Sequence, residues 1–253
     1  MTMRPTEETA PGTAAAEASK DTAAPAAADA VIVVAGAGGP AGRAVVRRLA
    51  GAGTRVVAAD VAPQTWDDAG PDADRITSVV VDLLDAEATR AWAAEVVRTH
   101  GRVDGLIHLV GGWRGGETFA ETDPADWTLL QDLLVRTLQH TTLAFHEALR
   151  GGPHGRVAIV SQPGAQAPTE GNAAYAAAKA AAEAWTLALA DSFRDTPAAA
   201  TILVVRALLT DSMLRRKPDW PGFTHVDDVA DTIAGLWATP AEELNGRRLW
   251  LTE

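Results

Sequence analysis

A tyrosine and a lysine four residues apart carry the most specific chemistry in this sequence. Tyr175 is the only tyrosine among 253 residues, and Lys179 follows it in an alanine-rich stretch without proline or glycine. Such a stretch predicts a helix, on which residues four apart lie on one face, one turn apart. The Lys179 ammonium is then expected to lower the pKa of the Tyr175 phenol and make it a general acid or base. The competing interpretation is an alanine-rich helix that carries both residues incidentally.

A glycine-rich segment near the start of the chain predicts a site for a phosphorylated cofactor. Gly36, Gly39 and Gly42 follow a G-x-x-G-x-x-G spacing between an apolar run and a helical stretch. Backbone N–H groups at such a strand-to-helix turn converge on a pyrophosphate, which the helix dipole also favours. A glycine motif alone is weak, but a strand before it and a helix after it are the expected context.

Two aspartates end the next two predicted strands. A carboxylate at Asp60 can accept hydrogen bonds from the ribose hydroxyls of NAD and would repel a 2′-phosphate. No arginine or lysine follows Asp60 closely, and the alternative is a solvated loop aspartate. Asp82 precedes Leu83, where it would contact the adenine ring or cap the following helix.

The composition limits the classes of partner. The net charge of −11 argues against nucleic acid or an anionic membrane, and the absence of cysteine excludes disulfides and thiolate zinc sites. No apolar run approaches the roughly 20 residues of a membrane span, and no secretory signal pattern opens the chain. We therefore expect a cytoplasmic protein that acts on a small molecule.

The order of apolar runs predicts the fold. Residues 1–29 contain few large apolar side chains and are predicted to form a disordered tail. From 30 to 253, strands alternate with helices, which predicts a single α/β domain: a three-layer, doubly wound parallel sheet of the Rossmann type. The predicted strands are 31–35, 55–60, 78–82, 104–110, 156–160, 201–205 and 247–251. The predicted helices are 43–51, 85–99, 124–149, 172–193 and 226–238.

Together these features resemble the short-chain dehydrogenase/reductase family over essentially residues 30–253. The resemblance is carried by Gly36–Gly42, Asp60, Asp82-Leu83, Val110-Gly111, Ser161, Tyr175 and Lys179. It implies hydride transfer with NAD(H), with Tyr175 as general acid/base and Ser161 on the substrate oxygen. It also implies that Lys179 lowers the Tyr175 pKa and holds the nicotinamide ribose. A homodimer or homotetramer through the long helix and the Tyr175 helix is implied as well.

The resemblance also implies the cofactor site and a substrate class. The implied cofactor-binding residues are Gly36, Gly38, Gly39, Pro40, Ala41, Gly42, Asp60, Asp82, Leu83, Val110, Gly111, Gly112, Tyr175, Lys179 and Thr210, with Asp211 second to Thr210 for the nicotinamide carboxamide. No metal is implied. Within the family, the run Gly111–Gly116 is similar to that of dihydropteridine reductases. Trp113 then either stacks on a flat substrate ring or anchors the loop. The substrate would be a carbonyl compound, an alcohol or a quinonoid ring.

Several positions depart from the family pattern. Pro40 replaces the middle glycine, His108-Leu109 stand where two asparagines are usual, and Leu134 stands where an asparagine normally joins a water relay. His108 is either a core histidine or a proton-transfer group. Arg206-Ala207 replace Pro-Gly, and Arg206 either lies on the surface or binds an acidic substrate or a phosphate.

The remaining expectations concern the substrate pocket and alternative functions. Ser161 lies 14 residues before Tyr175, one more than is common, so Gln162 competes for its role. The pocket is expected between the loops 111–118, 162–172 and 207–225, with Trp220, Pro221 and Phe223 as an apolar lid. The alternative functions are a non-redox isomerase, dehydratase or cyclase in the same pocket, and a non-catalytic NAD-binding regulator.

Overall fold

The computed structural model describes residues 28–216 and 223–252 of the chain. The predicted disordered tail, 1–29, lies almost wholly outside the described residues. Trp220 and Pro221 of the predicted lid also lie outside them. At the start of the described part, the Asp29 nitrogen donates to the Gly53 carbonyl at 3.2 Å.

Seven parallel strands form the central sheet, as the alternating pattern predicts. The strands in chain order are β1 (Val31–Ala35), β2 (Arg55–Asp60), β3 (Ile76–Val80), β4 (Gly105–His108), β5 (Arg156–Ser161), β6 (Ala199–Val204), β7 (Leu208–Leu209), β8 (Thr224–His225) and β9 (Arg248–Trp250). The sheet order is β3-β2-β1-β4-β5-β6-β9, while β7 and β8 form a small parallel pair of their own. The strand order reverses between β1 and β4, which is where doubly wound folds bind ligands.

The helices cover both faces of this sheet. They are α1 (Pro40–Gly51), α2 (Ala86–His100), α3 (Pro124–Gln131), α4 (Thr137–Gly151), α5 (Ala173–Ser192), α6 (Asp211–Arg216), α7 (Val226–Gly235) and α8 (Ala241–Leu244). Alternate residues of β1 enter different cores: Ile32 packs with α1 and α7, while Val33 packs with the layer that holds Phe145 and Phe193. This two-sided burial explains why β1 is apolar throughout.

The predicted elements are present, with some shifted boundaries. β1 and β2 have the predicted bounds, whereas β3 begins and ends two residues earlier and β4 is shorter at both ends. The predicted helix 124–149 consists of α3 and α4 joined by a π-helical turn, Asp132–Arg136. The short pair β7–β8, the 3₁₀ segment Asp67–Arg75, α6 and α8 were not predicted. The single α/β Rossmann-type domain is thus confirmed for the described residues.

Within residues 28–216 and 223–252, no helix has both the length and the apolar character needed to cross a bilayer. The same residues contain no group of three or more His, Cys, Asp and Glu side chains that could hold a metal ion.

Candidate active site

A cavity of about 820 Å³ opens at the carboxyl ends of β1, β4, β5 and β6. It joins the glycine-rich turn to Tyr175 and Lys179, which the sequence separates widely. All three loops predicted to form the pocket contribute to its wall. The lining residues are Gly39, Pro40, Ala41, Gly42, His108, Leu109, Val110, Gly111, Gly112, Trp113, Val160, Ser161, Gln162, Asn172, Tyr175, Lys179, Val205, Arg206, Ala207, Leu208, Met213 and Phe223.

The glycine-rich turn is shaped by close backbone contacts. Gly36 has φ +79°, and a Cβ there would lie 2.7 Å from the Val110 nitrogen. A Cβ on Gly42 would lie 2.2 Å from the Gly36 carbonyl oxygen, so only glycine fits. Pro40 is the first residue of α1, a position whose N–H would have no helical partner. The replacement of the middle glycine therefore leaves the helix N-terminus intact, and the turn fits a dinucleotide pyrophosphate.

Asp60 faces this turn from the end of β2. Its Oδ2 accepts from the Gly38 nitrogen at 2.8 Å, and the Gln64 side chain lies directly against Gly38. Arg43 is the first basic residue of α1. Its guanidinium pairs with Asp68 at 2.9 Å and lies over the Trp66 ring, 4.8 Å from the centroid. The Asp60 carboxylate forms no ion pair with another described residue, and its expected contact with the ribose stays a prediction.

Asp82 and Leu83 lie outside the cavity wall. Asp82 is exposed and its Oδ1 accepts from the Leu84 nitrogen at 2.9 Å, while Asp85 caps α2 instead. Leu83 is buried, and its carbonyl accepts from His140 Nδ1 at 2.8 Å. The helix-capping alternative for Asp82 is therefore wrong, and an adenine contact stays a prediction.

Thr210 and Asp211 also stand apart from the cavity wall. The Thr210 carbonyl accepts from the Met213 and Leu214 nitrogens, and Asp211 Oδ1 lies 3.2 Å from His225 Nε2. Thr210 precedes α6 and Asp211 is the first residue of α6, while Met213 of that helix lines the cavity. A contact from Thr210 to the nicotinamide carboxamide stays a prediction.

Tyr175 and Lys179 lie one turn apart on α5, as predicted, and both line the cavity. The Lys179 Nζ is 5.7 Å from the centroid of the Tyr175 ring and donates to the Val160 carbonyl at 2.7 Å. Burial raises the pKa of Tyr175 to about 12. Burial also lowers the pKa of Lys179 to about 8, although the Glu183 carboxylate opposes that shift. The expected lowering of the Tyr175 pKa is therefore wrong for the chain alone, because desolvation by burial raises this pKa.

Ser161 faces a buried carboxylate. Its Oγ donates to Glu183 Oε1 at 2.5 Å, and both side chains are buried. Gln166 Nε2 and Arg248 Nε donate to the other oxygen of Glu183, at 2.5 and 2.7 Å. The single hydroxyl proton of Ser161 is thus used within this cluster and is not offered to the cavity.

Gln162, the competing residue, presents an unused donor. Its Oε1 accepts from the Gly164 nitrogen at 2.9 Å, whereas its Nε2 is buried without a hydrogen-bond partner. A buried donor without a partner is costly, and Gln162 lines the cavity. The Gln162 amide thus has a donor that no other described residue uses, whereas the Ser161 hydroxyl proton is used by Glu183.

His108 is a core histidine. Its Nε2 and Nδ1 lie 3.1 and 3.2 Å from the hydroxyls of Thr137 and Thr141 on α4. Burial, with a smaller effect of the Lys179 charge, lowers the pKa of His108 to about 3. A buried, neutral ring with both nitrogens near hydroxyl groups favours the core alternative, although His108 also lines the cavity.

The π-helical turn and the double glycine meet at the cavity wall. Leu134 is buried in the π-helical turn, and its Cδ2 packs close to Gly111. An apolar side chain thus fills the place of the expected relay asparagine. Trp113 is 60% exposed at the rim of the cavity, so it does not anchor the loop in a core.

Sequence reasoning missed Glu183 and Gln64. A spacing of four residues after Lys179 on the same helix face was the available signal for Glu183. Gln64 follows β2 in an irregular segment, and nothing in the sequence pointed to its approach to Gly38. Arg248, at the far end of the chain, reaches Glu183 only through the pairing of β9 with β6.

Known proteins share this sequence pattern and fold. The family model described as short chain dehydrogenase matches residues 30–217. An acetoacetyl-CoA reductase from Acinetobacter is 30% identical over 63% of this chain and 66% of that enzyme. A probable oxidoreductase EphD from Mycobacterium tuberculosis is 26% identical over 87% of this chain, which spans only 35% of that protein.

Solved structures show the same fold with either form of the cofactor. The NADP-bound structure of ElxO has a TM-score of 0.79 and 14% identity, covering 88% of this chain and 97% of ElxO. The NAD⁺-bound structure of xylitol dehydrogenase has a TM-score of 0.77 and 19% identity, covering 89% of this chain and 98% of that enzyme. A nicotinamide cofactor is thus common to these folds, although its form differs between them. The match to the family model over most of the sequence shows that this chain belongs to the short-chain dehydrogenase/reductase family.

Proposed function

We propose that this protein is an NAD(H)-dependent reductase or dehydrogenase that interconverts a carbonyl group and an alcohol, or reduces a quinonoid ring, in a small molecule. The observation that carries the proposal is the shared cavity, whose wall contains the glycine-rich turn as well as Tyr175 and Lys179. A relative is named as an acetoacetyl-CoA reductase and a structural neighbour as a xylitol dehydrogenase, names that describe a carbonyl reduction and an alcohol oxidation.

The chain's own residues supply the proton. The nicotinamide cofactor, held at the glycine-rich turn and Asp60, supplies or accepts the hydride. Tyr175 carries its phenolic proton at neutral pH, since burial raises its pKa to about 12. It therefore acts as the acid that protonates the oxygen of a reduced carbonyl. Lys179 donates one hydrogen bond to the Val160 carbonyl, and its remaining N–H donors would hold the nicotinamide ribose.

The preference for NAD(H) over NADP(H) rests on Asp60. Its carboxylate points to the Gly38 nitrogen, and the Gln64 side chain covers the same turn. A 2′-phosphate at this position would lie beside a negative charge, and Arg43 is already paired with Asp68. Close juxtaposition of like charges is strongly unfavourable, so NADH is the expected form.

Turnover with NADH tests the proposal. Purified protein is incubated with NADH and a panel of ketones, aldehydes and quinonoid compounds, and loss of NADH absorbance is followed. Tyr175→Phe keeps the ring but removes the acid, so turnover should fall by about 100-fold or more, with NADH affinity nearly intact. Wild-type turnover in Tyr175→Phe would remove Tyr175 from its role. Tyr175-dependent isomerisation or dehydration without NADH consumption would favour the non-redox alternative.

We also propose self-association through α4 and α5. Leu143 of α4 is 65% exposed. A cleft of about 250 Å³ lies between α4 and α5, and its wall includes Leu143, Trp185 and Leu189. Ala177 and Ala184 on α5 are exposed as well. An exposed apolar face of this kind is typical of a subunit contact.

A further inference from the structure

Arg206 is a cation in the cavity wall without an anionic partner. It lies two residues after the end of β6, is exposed, and forms no hydrogen bond or ion pair with the other described residues. The described cavity wall contains no aspartate or glutamate, and its charged side chains are Lys179 and Arg206. In a protein of net charge −11, a cavity whose charged groups are both positive favours an anionic ligand.

The proposed function assigns a role to Lys179, which holds the nicotinamide ribose, but assigns none to Arg206. The Lys179 ammonium is buried and held by the Val160 carbonyl. Arg206 is two residues beyond Val204, which pairs with Ser161 at the end of β5. Its backbone therefore lies one strand from Ser161 and Gln162, at the same edge of the sheet.

The strand order separates Arg206 from the pyrophosphate site. The glycine-rich turn follows β1, and β4 and β5 lie between β1 and β6. With strands about 4.8 Å apart, the end of β6 is about 14 Å from the end of β1. The region near Arg206 is therefore the substrate end of the cavity rather than the pyrophosphate end.

We propose that the Arg206 guanidinium binds an anionic oxygen group, a carboxylate or a phosphate, on the substrate. This inference rests on the proposed carbonyl–alcohol chemistry and names its substrate class: carbonyl compounds with a negative charge remote from the reacting carbon. A planar guanidinium suits this task because it donates two parallel hydrogen bonds to a carboxylate or phosphate. The cofactor pyrophosphate has the same chemistry and must be distinguished by experiment.

Matched pairs of neutral and anionic carbonyl compounds test the proposal. The probes are 4-carboxybenzaldehyde with methyl 4-formylbenzoate, and acetoacetate with methyl acetoacetate, each at saturating NADH. Wild-type kcat/KM is expected to be about 10- to 100-fold higher for the anion, the range of a charge-assisted hydrogen bond. Arg206→Gln should bring the two members of a pair to near equality. Arg215→Gln, an exposed arginine of α6 outside the cavity wall, should keep the wild-type ratio.

A titration with NADH separates the two anion sources. If Arg206→Gln weakens NADH binding about tenfold or more and keeps the anion preference, the guanidinium holds the pyrophosphate and the proposal is overturned. Equal kcat/KM for neutral and anionic probes in the wild type would also overturn it, while leaving the proposed reductase function standing. If no probe consumes NADH, calorimetry measures whether the same probes bind to the enzyme–NADH complex. Arg206-dependent binding of the anions supports the proposal, and absence of such binding overturns it.

Discussion

The single tyrosine makes the ionisation of the proposed catalytic acid directly measurable. Tyr175 is the only phenol in the chain, so the tyrosinate absorbance of the whole protein reports on that residue alone. Raising the pH of the cofactor-free protein is the perturbation. Because burial raises the pKa of Tyr175 from 10.0 to about 12, no tyrosinate should form until well above pH 10. If Lys179 instead lowered this pKa, ionisation would be seen below pH 10.

The magnitude and sign follow from the same shift. A difference of about two pKa units corresponds to about 3 kcal/mol between folded and unfolded states. Since the folded-state pKa is the higher one, this stability is fully present below pH 10 and is lost as pH rises toward 12. Lys179 acts in the opposite sense: its pKa falls from 10.5 to about 8, so the folded state is disfavoured below pH 8 and gains stability between pH 8 and 10.5.

Alkaline unfolding is the main confounding event, and it can be followed separately. Circular dichroism at each pH reports whether the sheet and helices persist, and Tyr175→Phe gives the absorbance background. A tyrosinate midpoint at or below pH 10 in protein that is still folded would refute the argument that burial dominates. A midpoint near 12, or ionisation only together with unfolding, agrees with it. In either agreeing case Tyr175 is fully protonated at neutral pH, which suits carbonyl reduction.

Two further predictions concern the cofactor and the substrate oxygen. The wild type should bind NADH at least about tenfold more tightly than NADPH. Asp60→Ala should reduce this difference in affinity. Asp74→Asn, a change at an exposed control position, should leave it unchanged. Fluorescence titration measures both, and equal affinities in the wild type would remove Asp60 from its role. Gln162→Leu should lower kcat/KM by about tenfold or more, while Ser161→Ala should mainly lower stability, by about 1–3 kcal/mol, because Glu183 loses a donor. Ser192→Ala serves as the control, and the reverse pattern would return the oxygen-binding role to Ser161.

Local sequence signals were enough to predict the fold and the edge of the sheet at which the cavity lies. An apolar run such as β1 is buried on both faces whatever its neighbours are. The predicted bounds of this strand, 31–35, therefore agree with those in the structure. Parallel strands bring their carboxyl ends to one edge, which is why residues after β1, β4, β5 and β6 meet in one cavity. Boundaries failed where polar residues take part in a strand, as in β3, whose Thr77 and Ser78 are exposed on the outer edge of the sheet.

Through-space contacts were not predictable. Ser161 and Glu183 are 22 residues apart and meet only because α5 packs across the end of β5. The spacing of Tyr175 and Lys179 predicted their common face, but the sign of the Tyr175 pKa shift depends on the degree of burial. A four-residue spacing contains no information on burial, so the Lys179 charge was expected to lower the Tyr175 pKa, whereas burial raises it.

The buried cluster around Glu183 shows how the site keeps its lysine charged without the usual relay asparagine. Leu134 offers no polar group, and Lys179 is instead held by the Val160 carbonyl, which is fixed by the sheet. Burial alone favours the neutral amine, and the Glu183 carboxylate, one helical turn further along α5, opposes that loss. Arg248 pairs with the same carboxylate at 2.7 Å. Through Arg248, the edge strand β9 therefore contributes to the buried cluster that lies one helical turn from Lys179.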